Sequence, residues 1–231
     1  MARVLIHVEG ETEETFVKEV LARHLSGRGV FVGARLMGNS RLRQRRGGIR
    51  GWSSVRADIV GHLREDAGAV ATTMVDYYGL PRRGANAWPG RDAAADLAFD
   101  HKAATVEQAL RSDLAETMGS DYRADRFIPF VVMHEFEGLL FSDCTAFSSG
   151  IYRPHLQPRL QAIRDEFGTP EEINDSPNTA PSQRLIDIMP DYNKPIMGTL
   201  GVLQISLDTI RSACPHFNGW LAALEQLASR R

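Results

Sequence analysis

The sequence predicts an α/β protein, with a parallel sheet flanked by helices and a helical C-terminal portion. Three observations lead there. Short, mostly apolar, β-branched runs occupy residues 4–8, 70–75 and 127–134, and such runs read as buried parallel strands. Segments of helical period separate them. Beyond residue 134 the strand pattern stops and helical stretches between Pro-rich loops take over.

Residues 3–8 read as the first strand. Gly10 allows a sharp turn, and Thr12 is the expected N-cap of a helix reaching about Leu25, whose Phe16, Val17, Val20, Leu21 and Leu25 recur with a 3.6-residue period. Gly27 and Gly29 end it, and residues 30–36 form a second strand. Residues 38–52 are a loop. Ser53 or Ser54 is expected to cap a helix to about Arg64, and a strand ending at Asp76 follows. Gly79, Pro81, Gly84, Pro89 and Gly90 mark residues 77–91 as loop. A helical region covers about 92–118, with room for a break in its middle, and a strand covers 127–134. Helices are expected near 135–142, 156–167, 182–189, 200–213 and 217–229.

With 231 residues, 43% hydrophobic and 24% charged, the chain has the composition of a soluble globular protein. A net charge of -2 gives no whole-chain attraction to nucleic acid, so any such binding rests on local patches. Cys144 and Cys214 are the only cysteines, which argues against a disulfide framework and for a reducing compartment. The start at Met1-Ala2-Arg3 runs directly into a strand, without the pattern of a signal peptide, and no apolar run approaches the length of about 20 residues that spans a bilayer. The expectation is a cytoplasmic protein with no membrane partner. No glycine-rich P-loop, dinucleotide fingerprint or Gly-x-Ser-x-Gly elbow occurs.

The chemistry lies where the strands stop. Glu9, Asp76 and Glu135 follow the three apolar runs, and ligands of open α/β sheets bind outside the carboxyl ends of the strands. Carboxylates gathered at one edge raise one another's pKa, and a divalent cation relieves that repulsion. Hard oxygen ligands suit Mg²⁺ or Mn²⁺, whose common use is phosphoryl transfer or phosphodiester hydrolysis. Each acid also has a plainer reading. Glu13 and Glu14 suit the positive end of a helix, and a lone Asp76 suits a turn. If the last strand continues, Glu135 and Glu137 share a face; if a helix has begun, they flank its apolar stripe and one of them faces the site, with Glu135 preferred. His134 is open to a role as ligand or proton shuttle and to one in packing.

Cationic candidates complete the picture. Arg41, Arg43, Arg45, Arg46 and Arg50 share a glycine-rich loop that could follow a phosphate backbone, with Trp52 able to stack on a base. The chain carries 24 Arg and only 3 Lys, so the cluster is also explained by a coding bias toward Arg.

The strings VEGETEETFV, DYYGLP, HEFEGLLFSD, APSQRL, YNKPIMG and CPHFNGWL resemble a bacterial family of Toprim-like proteins of unassigned function, over nearly the whole chain. Toprim domains occur in topoisomerases, primases and overcoming-lysogenization-defect (OLD) nucleases. The resemblance implies a Toprim-like α/β domain over 1–145 with a helical portion, 146–231, packed on it as one unit. It implies a Mg²⁺-dependent nuclease-like site and a role in phage defence. Glu9 matches the Toprim glutamate and Asp76 the first acid of the Asp-x-Asp motif. Tyr78 stands where the second acid would be, which calls for Glu135, Glu137 or Glu13 to substitute. OLD-type nucleases place a lysine near the scissile phosphate, and Lys194 is the candidate here, with a solvated loop position as the other reading.

The expected function is therefore metal-dependent hydrolysis of a phosphodiester in DNA or RNA. Glu9 and Lys194 serve catalysis, and Glu9, Asp76, Glu135 and Glu137 hold Mg²⁺ or Mn²⁺. The resemblance implies an ATPase of ABC or AAA type as a controlling partner and is compatible with an oligomer. Two rivals stand beside this reading: a Toprim-like subunit without catalysis, and a phosphohydrolase or phosphotransferase acting on a nucleotide.

Overall fold

The computed structural model describes residues 1–37, 49–174 and 176–229. Strand β1 (Ala2–Val8) leads through an extended Gly10 into helix α1 (Glu11–Phe16). A π-helical turn over Val17–Leu21 joins α1 to α2 (Ala22–Ser26). Then come β2 (Val30–Leu36), α3 (Trp52–Glu65), β3 (Ala69–Asp76) and α4 (Phe99–Met118). The last strand pattern is realised as two short pieces, β4 (Phe127–Ile128) and β5 (Val131–Val132). Pro129 lies between them and has no N–H to give a continuous ladder.

The sheet is parallel throughout, in the order β2-β1-β3-β4, with β5 also pairing to β3. In register, β1 Val8 lies beside β3 Met74, and β3 Asp76 lies beside β5 Val132. The carboxyl ends of β1, β3 and β5 therefore come together at one edge. All eight residues of β3 are buried, as a central parallel strand covered on both faces requires.

Alternation along β3 divides two cores. Val70 and Met74 join Val4, Ile6, Val8 and Phe16 in one, and Ala71 and Val75 join Val55, Ile59, Val106 and Leu110 of α3 and α4 in the other. The first core is also the seat of the C-terminal helices. Past β5, a 3₁₀ stretch over Phe136–Ser142 precedes α5 (Cys144–Gly150), α6 (Gln157–Arg164) and α7 (Pro181–Ile188). A π-helical turn, Lys194–Gly198, then opens α8 (Thr199–Gln204), followed by α9 (Leu207–Ala213) and α10 (Pro215–Glu225). Phe136, Phe147, Leu185, Val202, Phe217 and Trp220 contribute to the same core as β1, so this portion completes the sheet's cover. Trp220 stacks on Phe130 at 4.4 Å and donates its indole N–H to Thr72 Oγ1 of β3 at 2.9 Å.

Local expectations fail at three helix starts or boundaries. Gly10, not Thr12, is the N-cap of α1, and Thr12 lies inside the helix with its hydroxyl donating to the Lys194 carbonyl at 3.3 Å. Gly51 precedes α3, and neither Ser53 nor Ser54 caps it, because Trp52 is drawn into the core as the first helical residue. The region 92–118 is helical only from Phe99; residues before it form turns. Helix α5 has no counterpart in the sequence reading, since its seven residues are too few to show a period.

Candidate functional site

Two strand ends and two distant turns build one acidic cluster. Glu9 stands directly after β1 and Asp76 is the last residue of β3. Glu13, in the first turn of α1, points inward and is 1% exposed. Its carboxylate packs so near the preceding turn that a Cβ on Gly10 would lie 2.9 Å from Glu13 Oε2, which accounts for a glycine there. Glu137 comes from the 3₁₀ stretch and is also buried.

Lys194 enters this cluster from the opposite end of the chain. Its Nζ lies 3.0 Å from Glu13 Oε1, 3.1 Å from Asp76 Oδ2 and 3.1 Å from Glu137 Oε2. The contact with Asp76 is a hydrogen bond. Asp76 Oδ1 accepts the Phe136 N–H at 2.7 Å, which ties the start of the 3₁₀ stretch to the end of β3. The backbone around the lysine is held by the Thr12 hydroxyl and by Asn193, whose side chain accepts the Ile196 N–H at 3.3 Å.

Three carboxylates contact one ammonium with Glu9 nearby, and the charges act on one another. Burial pushes Glu9, Asp76 and Glu137 above the usual carboxylate range, with neighbouring carboxylates adding to the shift and Lys194 opposing it. Burial works against the charged form of Lys194, but Asp76, Glu137, Glu13 and Glu9 more than offset it and hold its pKa well above the ordinary lysine value. Several oxygens remain without a hydrogen-bond partner: Glu9 Oε2, both oxygens of Glu13 and Glu137 Oε2 are buried in this state. Oxygen donors of this hard, anionic kind suit Mg²⁺ or Mn²⁺. Among the described residues, however, no three His, Cys, Asp or Glu side chains stand as a ready-made ligand set. The ammonium occupies their common focus.

The sequence candidates are thus distributed as follows. Glu9, Asp76, Glu137 and Lys194 come together. Glu135 does not point into the same focus: its Oε2 accepts the Ser182 N–H at 2.8 Å at the start of α7. The helix reading of this stretch is the one realised, and Glu137 takes the inward position that the sequence reading gave to Glu135. Because the 3₁₀ stretch begins at Phe136, period two no longer relates the two glutamates. Glu13, first explained by the helix dipole, belongs to the cluster. Its spacing of four from Glu9 was the available signal, visible only once the helix start is known.

His134 packs its ring edge-on against Tyr77 at 5.7 Å and tilted against Phe99 at 5.9 Å. Trp52 is not available to stack on a base. It is 4% exposed, packs on Trp88 at 5.1 Å and donates to Asp113 Oδ2 at 2.6 Å. Arg41, Arg43, Arg45 and Arg46 lie outside the described residues. Arg50 is described; it donates to Ser54 Oγ at 3.1 Å, and its carbonyl accepts the Trp88 indole N–H.

Fold and site together define the class: an α/β protein with a parallel sheet, whose strand ends deliver a buried acidic cluster. Residues 8–225 match the model of a domain of unknown function, DUF4276, and the chain belongs to that family. No curated protein matches it. Two solved structures of the C-terminal region of the OLD protein from Xanthomonas campestris pv. campestris are similar. One, phased with platinum, has a TM-score of 0.45 at 16% identity, covering 99% of this chain and 94% of that one. The other, phased with mercury, has a TM-score of 0.45 at 14% identity, covering 99% and 97%. Among the described residues no helix is long and apolar enough to cross a membrane.

Proposed function

We propose that this chain is a Toprim-like, metal-dependent hydrolase of phosphodiesters in nucleic acid, acting at the cluster of Glu9, Glu13, Asp76 and Glu137. One observation carries the reading: four carboxylates converge at the carboxyl edge of a parallel sheet, with several buried oxygens lacking hydrogen-bond partners. Burying such a set is costly unless a cation shares it. The motifs around Glu9 and Asp76 that resemble Toprim proteins support the same reading, and so does the place of the cluster at a sheet edge where ligands bind.

Glu13, Asp76 and Glu137 would hold Mg²⁺ or Mn²⁺, with Glu9 beside them. A divalent cation there would supply Lewis-acid stabilisation of the charge that develops on a phosphodiester. Glu9 would be the residue to take a proton from an attacking water, at its partnerless Oε2. Asp76 positions the backbone of Phe136 through Oδ1 and thereby sets where Glu137 enters the site. The Lys194 side chain is only partly buried, and its ammonium would be the cation nearest a phosphate drawn to the cluster. A controlling ATPase partner and a role in phage defence belong to this proposal through the family resemblance alone.

The test is cleavage of labelled DNA and RNA with Mg²⁺ or Mn²⁺, by wild type and by Glu9→Gln, with and without an ATPase encoded beside it. Wild type should cut; Glu9→Gln should lose turnover and keep nucleic-acid binding. Cleavage that survives in Glu9→Gln removes Glu9 from the mechanism.

A subunit without catalysis is the second reading, and Tyr78 favours it by standing where Toprim enzymes carry a second acid. Absence of cleavage together with absence of Mn²⁺ binding would select it. For a nucleotide-sized substrate a pocket at Asp76 would be needed. A cavity of about 410 Å³ is lined by Phe141, Asp143, Cys144, Gln161, Arg164 and neighbours, and by no member of the cluster.

A further inference from the structure

We propose that Lys194 is a resident counter-ion of the acidic cluster, and that a divalent cation gains the site only by displacing its ammonium. The inference rests on the metal-dependent reading above and adds a regulatory device to it. Its basis is steric as well as electrostatic. The Nζ lies within 3.0–3.1 Å of three carboxylates that arrive from α1, β3 and the 3₁₀ stretch. A cation at the centre of those oxygens would occupy the same space, and two cations at that separation repel one another strongly. Yet the lysine satisfies the cluster incompletely. Only its contact with Asp76 has hydrogen-bond geometry, and both Glu13 oxygens and Glu137 Oε2 keep no hydrogen-bond partner.

The segment that carries the lysine is built for such an exchange. Lys194 opens the π-helical turn Lys194–Gly198, and its side chain is 30% exposed, whereas those of Glu13 and Glu137 are 2% and 3% exposed. The lysine stem therefore reaches solvent, whereas Glu13 and Glu137 are sealed from it. Its backbone stays fixed by Thr12 and Asn193 when the side chain swings. The metal-free protein is thus held closed by its own lysine, and the metal both fills the site and frees a cation at its rim.

The chain has only Lys18, Lys102 and Lys194, so amine labelling resolves each by peptide mass. The full-length protein would be treated with an acylating reagent with and without Mn²⁺, and Mn²⁺ binding followed by calorimetry. Labelling of Lys194 should rise several-fold with Mn²⁺ while Lys18 and Lys102 stay constant. In Lys194→Met, which keeps the stem without the charge, Mn²⁺ affinity should rise by about tenfold or more. Circular dichroism and Lys194→Gln guard against a variant that fails to fold. If Mn²⁺ binds and Lys194 labelling is unchanged or falls, the displacement is wrong and the metal-dependent reading stands. If neither wild type nor the variants bind Mn²⁺, both are wrong.

Discussion

Lys194 Nζ and Asp76 Oδ2 meet at 3.1 Å across 118 positions of sequence. The pair is one tie between the C-terminal helices and the central strand, beside the Trp220–Thr72 bond, and its loss leaves buried carboxylates facing one another. Lys194→Met should therefore lower the unfolding free energy of the metal-free protein by about 3 kcal/mol. Adding Asp76→Asn should recover part of that loss, since it removes one of the stranded charges. Urea unfolding of the four members of the cycle measures the coupling, and strict additivity would mean that the pair contributes nothing.

Two glutamates two residues apart should behave differently. Glu135 Oε2 serves the N–H of Ser182 at the first turn of α7, so Glu135→Ala should cost about 1–2 kcal/mol and leave any Mn²⁺-dependent rise in melting temperature intact. Glu137→Ala should abolish that rise. Thermal melts with and without Mn²⁺ decide between them, and the reverse pattern would return Glu135 to the site.

Helix α8 carries the lysine's turn against α5 through a close contact. A Cβ at Gly201 would collide with Phe147 Cδ2 and lie 3.4 Å from Leu140 Cδ2. Gly201→Ala should cost about 1–3 kcal/mol by overpacking and should raise the labelling of Lys194 in the absence of metal, because α8 must shift. Unchanged stability and labelling would show that this contact does not set the lysine's place.

The stability of the protein should fall as pH drops through the histidine range. Burial lowers the His7 pKa to about 3, with the charges of His62 and Arg35 adding to the effect. Between about 3 and the ordinary 6.5 the unfolded chain binds a proton that the folded one refuses. The stability is complete above 6.5 and is lost toward 3, at about 1.4 kcal/mol per pH unit. His216 works in the opposite sense. Burial lowers its pKa, but its bond to Glu107 at 2.9 Å and nearby carboxylates more than offset this, so its contribution is present below 6.5 and lost as pH rises through the folded value. His7→Leu should flatten the acid limb of a plot of melting temperature against pH. An acid limb equally steep in His7→Leu would assign it to other groups.

The strand ends were legible in the sequence because a parallel sheet demands apolar runs and places its ligands at their carboxyl ends. Glu9 and Asp76 follow from that pattern alone. Choosing between Glu135 and Glu137 needed the residue at which the strand yields to a 3₁₀ turn, and Pro129 had already shortened that strand. Thr12, Ser53 and Ser54 do not cap, because a capping residue is defined only relative to a helix start, and Gly10 and Gly51 take those places. The sequence offers Trp52 beside an Arg-rich loop for stacking on a base, yet its partners Trp88 and Asp113 lie 36 and 61 positions away and bury it. For Lys194 the residue type stood out by its rarity, but its three carboxylate partners come from α1, β3 and the 3₁₀ stretch, which no local pattern could join.

The order of these residues along the chain bears on how the protein is made. During synthesis Glu9, Glu13, Asp76 and Glu137 leave the ribosome before Lys194 does. Until the lysine emerges, the sheet edge holds four acids with no internal cation, and its cover of C-terminal helices is missing as well. The nascent polypeptide cannot close its acidic edge early, so the complete cluster and the ammonium that balances it arrive together, late in translation.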